Sequence, residues 1–366
     1  MSALFAPLTL RDVTFRNRIF VSPMCQYSSD DGMPGPWHLV HLGSRAVGGA
    51  GLVMVEATAV APEGRISPED SGLWSAAHAE AFCPIATFIE EHGAVAGIQL
   101  AHAGRKASTR RPWDPGGAGR AIAPDAPGGW RTVGPGAIPF REGDPAPHAL
   151  TEAELEGVVA QFVRGAELAL AAGFRVIEIH MAHGYLLNQF LSPLVNLRGD
   201  AWGGDFAGRT RLPLRVTEAV RAVWPAGLPL FARISATDGA EGGWTIENSV
   251  AFARQLVERG VDFIDCSSGG SVSWAKFEPA PGYQVPYARA VRAGAGVATG
   301  AVGLITEPAQ AEEIVASGAA DAVLLARRLL ADPYWPLHAA HALGEDVEWP
   351  APYRRAKPPV LAGGRP

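Results

Sequence analysis

The chain has 366 residues, 48% of them hydrophobic, and a formal net charge of -6. That length supports a large buried core and fits an α/β barrel as one domain. The acidic balance, without any Lys/Arg block, gives a nucleic-acid or anionic-membrane partner no electrostatic support. Cys25, Cys83 and Cys266 are widely spaced, with no Cys-x-x-Cys pair. This argues against an iron–sulfur cluster, a zinc ribbon or a disulfide framework, and makes a reducing cytoplasm the expected compartment. Met1 to Asn17 carries Arg11, Asp12 and Arg16 without an apolar core and does not read as a signal peptide. The uncharged stretch Ala293 to Thr306 is glycine-rich and too short to span a bilayer.

In chain order, a first strand at Ile19-Phe20-Val21 runs into Ser22-Pro23-Met24-Cys25-Gln26-Tyr27. A unit then recurs in which a helical pattern ends in glycine and a short apolar strand follows. Gly51 precedes Leu52 to Glu56, Gly93 precedes Val95 to Gln99, and Gly173 precedes Val176 to Ile179. Leu230 to Ile234 is a fifth strand. Gly260 precedes Phe263 to Cys266, Gly296 to Thr299 is a seventh strand, and Gly318 precedes Ala322 to Leu325. Glycine just past a helix, feeding a buried strand, is an αβ-loop signature. Helical patterns over Ala79–His92, Glu152–Ala172, Leu212–Val223, Ile246–Arg259 and Pro308–Ser317 separate most of the strands. Thr151-Glu152-Ala153-Glu154 is a capping box for the second of these. The alternation predicts a (β/α)8 TIM barrel, a single domain over 1–340, in preference to an open doubly wound sheet. A Pro/Gly-rich insertion at 102–147 follows strand three and is expected to overhang the barrel mouth. The proline-rich segment 349–366 reads as an extended C-terminal arm.

Barrel strands converge at their C-terminal ends, so the residues found there belong together. They are Ser22 to Tyr27, Glu56-Ala57-Thr58, Gln99 and His102, His180, His183 and Tyr185, Arg233, Cys266 to Gly270, Gly300 to Gly303, and Ala326-Arg327-Arg328. Alternation puts Val176, Glu178 and His180 on one face of strand four, with Ile177 and Ile179 on the other. The collection is polar and mildly cationic and has no carboxylate cluster for Mg²⁺ or Ca²⁺. A glycine-rich turn after strand seven, with Arg327 opening the element after strand eight, suits a phosphate. The competing reading for Arg327 and Arg328 is a solvated helix face. Two imidazoles at a strand end admit Zn²⁺. However, no third ligand stands at a familiar spacing and Arg233 would repel a cation, so an oxyanion or carbonyl oxygen suits them better. Tyr185 beside them offers a proton. A buried Arg233 needs an anion or an electron-rich ring, and the N1/O2 edge of a reduced flavin is one. Gln99 suits the edge of a flavin pyrimidine. Cys25 stays open between a nucleophile, a soft dipole near a cofactor and a plain buried thiol.

These residues, in this order, resemble the old yellow enzyme family of FMN-dependent ene-reductases, and most closely its bacterial branch with a Ser-Pro-Met-Cys-Gln-Tyr motif on strand one. The likeness runs from Leu4 to about Arg355. Its anchors are Asn17-Arg18-Ile19, Ser22 to Tyr27, Gln99 to Lys106, His180 to Asn188, Ser192-Pro193, Asn196, Arg198, Gly208-Arg209, Arg211, Arg233 and Ala326-Arg327. The resemblance implies FMN across the barrel mouth, lined by Ser22, Pro23, Met24, Cys25 and Ser268, with Ala57 and Gln99 at the ring edge and Arg233 at N1/O2. Gly300, Gly303, Ala326 and Arg327 would hold the phosphate. It further implies that His180, His183 and Tyr27 grip a carbonyl or nitro oxygen and that Tyr185 protonates the α-carbon after hydride transfer from flavin N5. Cys25 would tune the flavin. NADPH, or alternatively NADH, would be the reductant, and no metal is implied. Trp274 would shape the pocket. Arg355 would reach the neighbouring site of a homodimer or homotetramer. One departure from the family pattern is Ala326, where glycine is usual. Relatives acting on dienoyl-CoA or trimethylamine need a cysteine cluster that three scattered cysteines do not supply. A metal-dependent hydrolase built on His180 and His183, and a non-catalytic flavin-binding protein, are the readings from other classes.

Overall fold

The computed structural model describes residues 2–115, 117 and 119–359. Eight parallel strands close into a barrel in sequence order. They are β1 (Ile19–Val21), β2 (Leu52–Ala59), β3 (Val95–Ala101), β4 (Val176–Met181), β5 (Leu230–Ser235), β6 (Phe263–Ser267), β7 (Ala298–Ala301) and β8 (Ala322–Leu325). Closure is explicit at β1, where Ile19 pairs with Val323 of β8 and Phe20 with Leu52 of β2. An open sheet would leave two edges, so the doubly wound alternative is excluded. Predicted starts match at every strand except β7, which begins two residues later at Ala298.

Strand alternation divides the apolar residues into two sets. Ile177, Ile179, Ile234 and Ile264 point outward against helix residues such as Phe82, Phe162 and Leu256. Phe20, Leu52, Met54, Val176, Phe231, Phe263 and Leu324 fill the barrel's lower interior. Phe231 stacks on Phe263 at 4.4 Å between centroids. Phe15, from an N-terminal hairpin of Leu8–Leu10 and Val13–Phe15, packs on Phe20 at 4.9 Å. Fully burying each phenylalanine is worth about 1.5–3 kcal/mol. The plug makes the barrel a packed core that is open to chemistry only at its upper end.

The capping box forms as read: Glu154 N donates to Thr151 Oγ1, and Thr151 N donates to Glu154 Oε2 at 2.7 Å. Helices that the periodicity did not signal are Pro36–Val47, Leu186–Leu191, Val285–Ala295, Arg327–Ala331 and Trp335–Ala342. Val285–Ala295 buries only Ala288 and Val291, too few for a visible apolar stripe, and stops at Gly296 with φ +67. Between β3 and the helix Glu152–Ala171 the described residues are mostly irregular. They carry a turn at Gly104–Lys106 and a two-residue pairing of Val133–Gly134 with His148–Ala149. Ala351–Ala356 forms a short 3-10 segment. Residues 360–366 of the expected arm lie outside the described residues.

Candidate active site

His180 and the two residues of interest after β4 owe their geometry to a tight turn. His183 sits at φ +60, a conformation costing on the order of 1–3 kcal/mol in a non-glycine residue. Its peptide groups are held on both sides. His183 N donates to Ser235 Oγ at 2.8 Å, and Lys106 Nζ donates to His183 O at 2.6 Å and to Gly270 O at 3.1 Å. Gly184 and Gly270 let two backbones touch. A Cβ on Gly184 would stand 1.9 Å from Gly270 O. The imidazoles of His180 and His183 end perpendicular with centroids 5.2 Å apart, and the Tyr185 ring stands 5.0 Å from His180.

Tautomers follow from the hydrogen bonds. His180 Nδ1 accepts from Ala182 N at 3.2 Å, so its neutral ring carries the proton on Nε2. His183 Nε2 lies 2.7 Å from Ser267 Oγ, which lies 3.2 Å from Gln284 Oε1. The serine has one proton; given to His183 Nε2, the nearer partner, it leaves the ring's own proton on Nδ1, free to donate to a substrate oxygen. Burial, then the charge of Arg233, pushes both imidazoles well below the ordinary value of 6.5. Both are therefore neutral donors at physiological pH. The unfolded chain binds protons near pH 6.5 that the folded rings refuse, so stability is expected to fall as pH drops below about 6.5. Thermal melts across that range check this. His180→Ala with His183→Ala should flatten part of the slope, and an unchanged slope would mean the folded imidazoles charge freely.

Tyr27, at φ +49, is set by a buried network that sequence reading missed. Gln26 N donates to the Glu56 carboxylate. Glu56 Oε1 also accepts from Ser71 Oγ at 2.7 Å and lies 2.9 Å from His38 Nε2. The signal was present as Glu56 at the end of β2, but nothing local says what it holds. Burial, then Asp70 and Glu56, raises the Cys25 thiol. A thiol raised in this way is a weaker nucleophile at neutral pH. Burial likewise raises Tyr185, leaving a phenol that keeps its proton until an acceptor is placed against it. Tyr27, Tyr185, Lys106 and Phe140 line one cavity of about 240 Å³. Burial and then Arg105 and Arg141 lower the Lys106 ammonium to about 7. The connection after β3 also brings Trp113 edge-on to Tyr27 at 5.6 Å.

A second cavity, about 170 Å³, lies at the ends of β7 and β8. Ser22, Arg233, Ser267, Gly303, Ala326, Arg327 and Arg328 line it, and its lining contains three arginines and no carboxylate. Arg328 Nε is buried without a hydrogen-bond partner. Gly303 has φ +107, and a Cβ there would press on Gln284 Nε2 and Tyr283 at 3.0 Å. A cationic cradle of this kind fits a phosphate dianion. Ala326 has a negative φ of -106, so the alanine does not occupy the left-handed region that calls for glycine. Ala57, at a β-bulge, is register partner to Gln99, whose Nε2 donates to Glu178 Oε1 at 2.7 Å. Pro23 and Met24, just past β1, are half-buried.

Other expected residues stand elsewhere. Gly300 lies within β7, where a Cβ would strike Leu324 Cδ1 at 2.1 Å; its smallness serves barrel packing. Ser268 Oγ donates to Gln284 Oε1 at 2.8 Å. Trp274 is 62% exposed and lines neither cavity. Arg355 is exposed. Its neighbour Arg354 packs near Arg16, Gly49 and Gly93, at the barrel end opposite the mouth. Among the described residues, no three His, Cys, Asp or Glu side chains gather as for a metal ion, and no helix is long and apolar enough to cross a membrane.

A closed (β/α)8 barrel with a cationic cavity at the ends of β7 and β8, and two buried imidazoles and a phenol after β4, is the frame of a flavin-dependent oxidoreductase. Residues 3–346 match the NADH:flavin oxidoreductase / NADH oxidase family, and the chain belongs to that family, as an FMN enzyme of the old yellow enzyme type. It is 49% identical over 354 residues to an NADPH dehydrogenase of Geobacillus sp. (strain WCH70), covering 96% of this chain and 98% of that one. Morphinone reductase superposes with a TM-score of 0.77 at 25% identity, over 96% of this chain and 92% of that chain. A 2-naphthoyl-CoA reductase in complex with 2-naphthoyl-CoA superposes with a TM-score of 0.82 at 25% identity. It covers 94% of this chain, which spans only 52% of that longer one.

Proposed function

We propose that the enzyme reduces the C=C bond of activated alkenes (enals, enones, maleimides and nitroalkenes), with NADPH, or alternatively NADH, as reductant. The observation that carries this is the convergence of His180, His183 and Tyr185 with rings about 5 Å apart at the mouth. FMN, when bound, would supply the hydride chemistry that links nicotinamide oxidation to alkene reduction. Gly303, Ala326 and Arg327 hold its phosphate. Ser22, Pro23, Met24, Ala57 and Gln99 border its ring system, and Arg233 answers the negative charge at N1/O2. Gly300 and Ser268 support this site through packing and through Gln284.

The chain's own contribution is to polarise and to protonate. His180 and His183 donate to the substrate's carbonyl or nitro oxygen, with Tyr27 as a third donor, and so draw electron density from the β-carbon. Tyr185 gives its phenolic proton to the α-carbon. Cys25, a neutral thiol, tunes the flavin as a dipole. Lys106 holds the His183 turn. The described part of the connection 102–147 covers the mouth and excludes water, while Trp274, exposed beyond β6 and lining neither cavity, is left without a substrate contact. Arg355 serves the site of a second copy in a homodimer or homotetramer, since in its own chain it stands away from the mouth.

The test is a visible spectrum of purified protein under anaerobic conditions. FMN bands should bleach with NADPH and return on addition of 2-cyclohexenone. A protein that binds FMN and bleaches, yet stays bleached with every activated alkene offered, would sink the substrate assignment.

A further inference from the structure

One polar layer lies between the phenylalanine plug and the mouth. Four consecutive strands each send one side chain into it: Gln99 from β3, Glu178 from β4, Arg233 from β5 and Asp265 from β6. Their exposures are 1%, 0%, 7% and 0%. Strand register forms two adjacent pairs, Gln99 opposite Glu178 and Asp265 opposite Arg233, with Arg233 one step nearer the mouth, opposite His180. Arg233 Nε is 3.0 Å from Asp265 Oδ2, but out of line for a hydrogen bond. Glu178 Oε2, both Asp265 carboxylate oxygens and Arg233 Nε are left without hydrogen-bond partners. So many orphaned atoms in one enclosed layer are unusual, because each costs about 1–3 kcal/mol.

The layer holds two acids and one guanidinium. With both acids ionised it would carry a net negative charge, sealed from below by Phe231 and Phe263. An isolated buried charge is avoided by protonation. Asp265 has the guanidinium beside it, whereas Glu178 is tied only to the neutral amide of Gln99. Glu178 is therefore the acid that keeps its proton. Burial and then the charge of Asp265 drive its carboxyl upward, against the opposing pull of Arg233. The groups facing Glu178 are Gln99, Arg233 and Asp265 across the layer. His180, on its own strand, His183 and Lys106 stand above it.

We propose that Glu178 is a positioning residue that stores a proton beneath the flavin and exchanges it with solvent as the flavin changes charge. This rests on the FMN reading above. A hydride delivered to neutral oxidised FMN brings two electrons and one proton, and leaves one net negative charge next to Arg233. That charge competes with Asp265 for the guanidinium and disfavours a second carboxylate in the layer. In alkaline solution, where Glu178 is ionised in the oxidised enzyme, reduction then draws one further proton from water onto the Glu178 carboxylate. The half-reaction consumes two electrons and two protons there, against two electrons and one proton at neutral pH. Reoxidation returns the extra proton to solvent. Protonated Glu178 also keeps Gln99 oriented toward the ring edge in both states.

The experiment is a potentiometric titration of the FMN holoenzyme, read from the flavin bands over roughly pH 6 to 10. The wild-type potential should fall with a one-proton slope near neutrality, about 30 mV per pH for a two-electron couple, and with twice that slope in the alkaline range. Glu178→Gln, neutral at every pH and still able to bind Gln99, should keep the single slope throughout. Asp265→Asn should shift the break to lower pH, because Glu178 then becomes the counter-ion of Arg233. Equal slopes in wild type and Glu178→Gln overturn the proposal. Should Glu178→Gln lose FMN, redox-difference infrared spectra of the wild type decide. A carboxylic-acid C=O band gained on reduction in alkaline but not neutral buffer supports the proposal, and no such band at any pH overturns it. A wild-type chain that binds no FMN overturns the function itself, whereas bound FMN with equal slopes overturns only this inference.

Discussion

Replacing His180 and His183 together by alanine is expected to abolish enone turnover and phenol binding while leaving FMN bound. The two imidazoles are the only pair of neutral, buried donors at the end of β4, and their protons are placed by fixed partners. Ala182 N occupies His180 Nδ1, and the Ser267–Gln284 chain orients His183. Removing a single preorganised donor to a developing oxyanion costs on the order of 10²–10³-fold in turnover, and removing both leaves only Tyr27. Neither imidazole lines the cationic cavity, so the flavin spectrum should persist. Phenol titrations followed by the charge-transfer band, with enone turnover measured alongside, give the readout. Turnover within about tenfold of wild type would show that the substrate oxygen is held elsewhere.

Tyr185→Phe is expected to separate the two halves of the reaction. The ring keeps its edge contact with His180 at 5.0 Å, so packing is retained and only the hydroxyl is lost. Bleaching by NADPH should proceed at the wild-type rate, since no phenolic proton enters that step. Reoxidation by 2-cyclohexenone should slow by on the order of 10²–10⁴-fold, the usual worth of a positioned general acid. A nitroalkene should be less affected, because its nitronate product can be released and protonated in water. Stopped-flow measurement of each half decides. An unslowed enone half-reaction would move the proton donor to Tyr27 or to water, and a slowed NADPH half would assign Tyr185 to nicotinamide binding.

The reading of the fold succeeded where local pattern and tertiary environment agree. β1 and β8 were bounded correctly because each is a short run of buried residues with no polar interruption. The helix at Thr151 was legible through its cap. Pro36–Val47 was missed because it exposes Trp37 and Val40, at 55% and 66%, while burying His38, His41 and Arg45. A hydrophobic-stripe argument reads such a helix inside out.

The candidate site shows the same division. Residue types at strand ends, glycine at forced turns and period-two alternation are properties of consecutive residues, so the sequence by itself determined the barrel, its polar mouth and the place of His180, His183 and Tyr185 at one strand's end. What those donors do depends on partners far along the chain. Lys106 pins His183 from 77 positions away, and Gln99 meets Glu178 across 79. Only barrel closure brings such groups together and removes water from around them. Burial and convergence, which no local pattern encodes, decided that both imidazoles are neutral, that Cys25 is a protonated thiol, that Gly300 serves packing, and that Glu178 lies in a sealed layer with one charge too many.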